Sequence, residues 1–109
     1  MRPLEGLFVL DFSTLLPGPL ATLLLAEAGA EVIKIEPPRG EEMRGRAPKW
    51  GRDSAGFALL NRGKRSVALD LKNADERARL QPLVKRADVI VEQFRFAHIP
   101  KLSSRRPWD

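Results

Sequence analysis

Residues 7–36 read LFVLDFSTLLPGPLATLLLAEAGAEVIKIE. The apolar run 7–10 ends in Asp11, and a turn containing Pro17, Gly18 and Pro19 follows. A nearly all-apolar helical run, 20–28, stops at Gly29, and a second short apolar run, 32–35, ends in Glu36. Strand, turn, helix, glycine stop and strand make one βαβ unit. The first strand shows no polar alternation, the pattern of a parallel strand covered on both faces. Ligands of open parallel sheets sit at the carboxyl ends of the strands, so the loop after Asp11 is a candidate binding edge. In the helix only Thr22 and Glu27 are polar, so it must be covered nearly all round, by further chain or by a partner subunit.

The rest of the chain reads as what packs against this unit. Residues 37–52 form a loop by composition, and 54–60 a short helix with Ser54 as its cap. A turn at 61–64 leads into SVALDL, 66–71, where Val67, Leu69 and Leu71 alternate with polar or small residues as in a half-buried strand. Asn73, followed by Asp75 and Glu76, opens a helix whose apolar face is Leu80, Leu83, Val84 and Ala87. Pro82 predicts a kink or break near Gln81. DVIVE, 88–92, is a last short strand, and after Phe94 no period continues. The fold class is α/β, a Rossmann-like parallel sheet.

A chain of 109 residues, 43% hydrophobic and 30% charged, suits one small folded domain. The absence of cysteine excludes disulfides, thiolate metal sites and a cysteine nucleophile. No signal peptide is read at the N-terminus, and the apolar segment 15–30, with two prolines and Glu27, is too broken to span a bilayer, so a cytoplasmic protein is expected. No spacing of metal ligands occurs, and His98 reads as a loop histidine.

The net charge of +5 favours a polyanionic ligand: nucleic acid, a nucleotide or a phosphorylated cofactor. Arg62, Lys64 and Arg65 lie in NRGKRS, 61–66, either an exposed basic turn or a phosphate site, and Lys72 at the end of LDLK could face the same ligand. The glycine-rich phosphate fingerprint is absent from the first turn, where Pro17 and Pro19 remove two backbone donors. Without those glycines Glu36 reads as a solvated strand end rather than a ribose acid. The basic segments lack the interleaved aromatics of single-strand nucleic-acid platforms, which makes nucleic acid the weaker partner class.

Three motifs in order, PLEGLFVLDFSTLLPGPLATLLLAEAGAEVIKIEPP (3–38), LLNRGKRSVALDLK (59–72) and RADVIVEQF (86–94), resemble the N-terminus of the family III CoA-transferases. These include formyl-CoA transferases, carnitine-type CoA-transferases and α-methylacyl-CoA racemases. The resemblance implies that residues 1–94 are the N-terminal part of a larger CoA-transferase domain and that 95–109 are an irregular, aberrant tail. It implies an interlocked homodimer and coenzyme A, as an acyl-CoA thioester, lying along the strands' carboxyl ends, with a carboxylic acid as acceptor and no metal. Leu15 would pack near CoA, Leu69 and Lys72 would meet its adenosine and phosphate end, and Lys64 and Arg65 sit in the family's basic turn. Gln93 and Phe94 match the family's Asn-Phe, and Lys101 and Leu102 fall where relatives place a cation and an apolar residue near the CoA phosphates.

This chain departs from the pattern at Pro37, where relatives carry an arginine that Arg39 would have to replace, and at Arg95-Phe96-Ala97, where relatives have a Pro-Gly turn. In the transferases a nucleophilic aspartate forms an acyl anhydride and then a CoA thioester. In the racemases a His and an Asp exchange the α-proton. Relatives carry that aspartate beyond this chain's length. The tail RPWD only faintly echoes its segment, so Asp109 is the chain's one candidate and a truncated or frameshifted product is the preferred reading. A non-catalytic CoA- or nucleotide-binding fragment and a racemase-like parent are the alternatives.

Overall fold

The computed structural model describes residues 2–15, 17–50 and 53–92. The elements are β1 (Phe8–Asp11), α1 (Pro17–Glu27), β2 (Glu31–Glu36), a 3-10 turn (Glu42–Gly45), β3 (Lys49–Trp50), β4 (Asp53–Ser54), α2 (Ala55–Asn61), β5 (Arg65–Ala68), α3 (Ala74–Arg86) and β6 (Val89–Val91). Four of the strands form one parallel sheet in the order β5-β2-β1-β6. The chain therefore winds outward from β1 in one direction, then crosses to its other side for β6. The topological switch point lies between β1 and β6, and their carboxyl ends open where open α/β sheets bind ligands.

The two faces of the sheet differ because strand side chains alternate. Phe8, Leu10, Ile33, Ile35, Val67 and Ile90 share one face and pack with Leu80 and Val84 of α3. Val9 and Val32 point the other way, to Leu25 and Ala26 of α1. Further along the strands that second face turns ionic: Asp11, Lys34 and Glu36 follow the valines at two-residue steps, and all three are buried.

Helix ends follow local chemistry. α1 begins at Pro17, inside the expected turn and three residues ahead of the helical run 20–28. Both prolines fall in the first turn, where the missing N–H groups have no helical partner in any case. Gly29, at φ +110°, ends the helix, and a Cβ there would lie 2.5 Å from Arg2 Cβ. Ser54 caps α2, its hydroxyl accepting from Phe57 N–H at 2.9 Å. Asn73 caps α3, its Oδ1 accepting from Asp75 N–H at 2.9 Å and Glu76 N–H at 3.2 Å. Asn73→Ala is expected to lower stability by about 1 kcal/mol, read as a shift of the urea midpoint at unchanged slope.

Two local expectations need correction. α3 runs unbroken through Pro82. Pro82 and Ala78 are both exposed, so the Ala78 carbonyl that loses its donor can meet water. The segment read as loop, 37–52, contains the 3-10 turn and one strand of the β3–β4 hairpin. These elements are only two to four residues long and carry no periodic signal.

α1 is not covered all round. Leu20 is 43% and Leu24 61% exposed, and Leu59 of α2, the helix that packs against α1, is 55% exposed. The helix composition calls for a cover that the described residues do not supply. No helix among them is long and apolar enough to cross a membrane.

Candidate functional site

The site is built where the ionic half of the sheet meets the loop after β1. Asp11 closes β1 with its carboxylate fully buried. Its Oδ1 accepts from the Ser13 N–H at 2.8 Å and from the Ser13 hydroxyl. Its Oδ2 accepts from Thr22 Oγ1 at 2.5 Å and from Lys64 Nζ at 3.2 Å. Lys64 places its two other protons on Asn61 Oδ1, 2.7 Å, and the Pro19 carbonyl, 3.1 Å. One carboxylate thus ties the loop, α1 and the turn before β5 together. Burial pulls the Lys64 ammonium below its ordinary value, and the Asp11 charge resists that shift.

A second pair continues the layer. Lys34 donates to the Ser13 carbonyl at 2.8 Å, and its Nζ lies 3.0 Å from Glu41 Oε2 with both side chains fully buried. The other Glu41 oxygen accepts from Leu15 N–H at 2.5 Å. Leu15 stands at φ +65°, a left-handed conformation that costs a leucine about 1–3 kcal/mol. The third pair is Glu36 with Arg44, joined at 2.7 Å and 2.8 Å by two parallel bonds. Glu36 Oε1 also takes the Glu41 N–H at 2.8 Å. The Arg44 guanidinium lies 4.0 Å from the Phe57 ring centre. Gly40, at φ +88°, forms the tight turn that brings Glu41 back onto Glu36.

Three carboxylates and three cations therefore pair off in a charge-balanced layer that is buried except at Arg44, which is 30% exposed. Buried charges are tolerable only when paired and hydrogen-bonded, and these are. The expectation of a solvated Glu36 is corrected: it is 4% exposed. Burial opposes its ionisation, but hydrogen bonds from Arg44, the Glu41 N–H and Ser66, with the Arg44 charge, outweigh that and hold its carboxyl down at about 2.

The structure sorts the residues singled out in the sequence. Leu15, Leu69 and Lys72 lie in the loops after β1 and β5, along one carboxyl edge and two strand spacings apart, about 10 Å. The Leu69 side chain belongs to the core around Phe12 and Ile35. Lys72 is exposed, its N–H bonded to Asp70 Oδ1 at 3.0 Å. Lys64 and Arg65 do not turn their charges toward the edge that Lys72 flanks. The Lys64 ammonium has three internal acceptors, and its side chain is 1% exposed. Arg65 opens β5 at the amino end, beside Glu31 at 4.0 Å and facing away from the edge that Lys72 flanks. Gln93, Phe94, Lys101, Leu102 and Asp109 lie outside the described residues, as do His98 and Trp108. Sequence reasoning passed over Lys34 and Glu41. Lys34 could have been found: a lysine in mid-strand of a sheet covered on both faces has to be buried and paired.

Comparison with known proteins decides the family. The sequence pattern of CoA-transferase family III matches residues 4–105. The chain belongs to this family. Among curated family members it is 44% identical over 94 residues to an acetyl-CoA:oxalate CoA-transferase of Acetobacter aceti, a match covering 85% of this chain and 24% of that one. It is 40% identical over 110 residues to a formyl-CoA:oxalate CoA-transferase of Bradyrhizobium sp., covering 99% of this chain and 25% of that one. The crystal structure of a CaiB/BaiF family protein from Brucella suis superposes with a TM-score of 0.87 at 33% identity, covering 98% of this chain and 30% of that one. The chain thus spans about a quarter of the length of the curated CoA-transferases it matches. The four-stranded parallel sheet with its helices thus matches the CaiB/BaiF fold, as the motifs implied.

Proposed function

We propose that this chain forms part of the CoA-binding wall of an acyl-CoA:carboxylate CoA-transferase. The observation that carries the reading is the loop at the switch point. Its backbone is held in a left-handed conformation at Leu15 by a buried ionic layer, at the edge where a parallel sheet receives its ligand. Preorganised loops of this kind hold a ligand without the ordering cost of a mobile one. Leu15 offers apolar contact and Lys72 a cation for a phosphate, while Leu69, its side chain in the core, contributes backbone on the same loop as Lys72. Gln93, Phe94, Lys101 and Leu102 belong to the same proposal. Lys64 enters it as framework rather than as a ligand contact, and Arg65 is left out.

Transfer of CoA needs a carboxylate that takes the acyl group and then CoA. In this reading that group is not among the described residues, and Asp109 is the chain's one candidate. The exposed Leu20, Leu24 and Leu59 fit a face covered by more chain or by a second subunit of a homodimer. A nucleic-acid role gains no support, because cations of the basic turn 61–66 and of the Arg-rich loop 37–52 are paired within the chain. Arg44 pairs with Glu36, Arg46 with Glu42, Arg62 with Glu27 and Lys64 with Asp11.

The test is calorimetric titration of the purified protein with CoA, ADP and duplex DNA, followed by an acetyl-CoA and oxalate transfer assay. Saturable binding of CoA, tighter than ADP, without transfer is the expected result. Transfer that disappears in Asp109→Ala would make the chain catalytic by itself. Binding of DNA in preference to CoA at physiological salt would end the CoA reading.

A further inference from the structure

Within the ionic layer, one buried group acts on the loop directly. Glu41 comes from the turn after β2, yet its carboxylate is buried beneath the loop after β1. One oxygen accepts the Leu15 N–H at 2.5 Å, and the other rests 3.0 Å from the Lys34 ammonium. Lys34 in turn donates to the Ser13 carbonyl, two residues before Leu15. The same short loop is therefore gripped twice, once by its carbonyl and once by its amide. The two grips are joined through the Lys34–Glu41 contact. That contact is a charge contact rather than an aligned hydrogen bond, since Glu41 Oε2 has no hydrogen-bond partner. A leucine amide at φ +65° has no helix or strand partner to satisfy it, and here the carboxylate is that partner.

We infer that Glu41, seated on Lys34, is a positioning residue for the CoA-facing loop: it sets the left-handed turn at Leu15 by capping its amide. The inference rests on the CoA reading for its functional consequence, but the clamp itself can be measured without CoA. The Leu15 N–H is consumed by Glu41, so the loop meets its ligand with the Leu15 side chain and not with that amide. This differs from a glycine-rich phosphate loop, whose amides face the ligand. The 3-10 turn and the Glu36–Arg44 pair hold Glu41 from behind, through its own N–H on Glu36.

Removing one member of a buried ion pair strands the other, so single variants confound positioning with stability. Two double variants avoid this. Both replace the pair by neutral groups, but Lys34→Met with Glu41→Gln keeps an acceptor for Leu15, whereas Lys34→Met with Glu41→Leu removes it. Amide hydrogen exchange and CoA titration are read on both and on the unaltered protein. In the unaltered protein the Leu15 amide is expected to be protected. The Gln variant is expected to keep that protection and to bind CoA within about threefold, while the Leu variant loses about tenfold or more in both, the size of one lost hydrogen bond. Protection of α1 and α3 amides should match in the two variants. The clamp is overturned if the Leu15 amide of the unaltered protein exchanges like an open loop, or if the two doubles protect it equally. If CoA fails to bind the unaltered protein while the exchange results hold, the CoA reading fails and the clamp stands.

Discussion

Asp11→Ala is expected to cost about 3–5 kcal/mol, the loss that follows when one partner of a buried ion pair is removed. Asp11 is fully buried and accepts from four donors on three elements: the Ser13 amide and hydroxyl, Thr22 and Lys64. Alanine leaves the Lys64 ammonium buried without its counter-charge and leaves the Thr22 and Ser13 hydroxyls short of an acceptor. A loss of this size is a large fraction of the stability of a small domain, so the variant should show a much lower urea midpoint or no cooperative transition. Asp11→Asn keeps one acceptor oxygen, enough for the Ser13 donors or for Thr22 but not for both, and loses the charge, so it should fall between Asp11→Ala and the parent. If Asp11→Ala unfolds within about 1 kcal/mol of the parent, the ionic layer contributes little and does not hold the site together.

Acid should weaken the fold through Glu36. Its ordinary value of 4.5 falls to about 2 in the folded chain. A carboxyl lowered by folding contributes stability that is fully present above its unfolded value and is lost as pH falls through the folded one. The window is therefore pH 4.5 down to 2. The loss is on the order of 3 kcal/mol at most, since each pH unit separating the unfolded and folded values is worth about 1.4 kcal/mol. Water reaching the partly exposed Arg44 side of the pair brings it lower. Glu36→Gln should be less stable than the parent at neutral pH and show a flatter dependence across that window. Chemical denaturation at pH 6, 4 and 3 checks both. Equal slopes in parent and variant would remove Glu36 as the titrating group.

The legible part of this chain was the part governed by local rules. The βαβ start, the glycine stop, the Ser54 and Asn73 caps and the strand at Val67, which ends at Ala68 rather than at the expected Leu71, each depend on a few neighbouring residues. The apolar excess of α1 was also legible and shows as exposed Leu20 and Leu24. The site was less legible because its logic is tertiary. Lys64 reads as a basic turn until α2, α1 and β1 are placed around it, which turns its ammonium inward. Glu41 sits in a Gly/Pro-rich stretch where a glutamate carries no local signal, and its partner amide is 26 residues away. Pro82 shows the reverse failure: a strong local rule against helix gives way because the lost bond faces solvent.

Binding of CoA along the carboxyl edge formed by the loops after β1 and β5 is tested most directly by backbone amide NMR of the chain titrated with CoA. Resonances of Leu15, Leu69 and Lys72 should move together and saturate, while those of Glu31, at the amino end of the sheet, and Arg65, the first residue of β5, stay in place. Shifts centred on Arg65 and Glu31, or none at saturating CoA, would contradict this placement of the ligand.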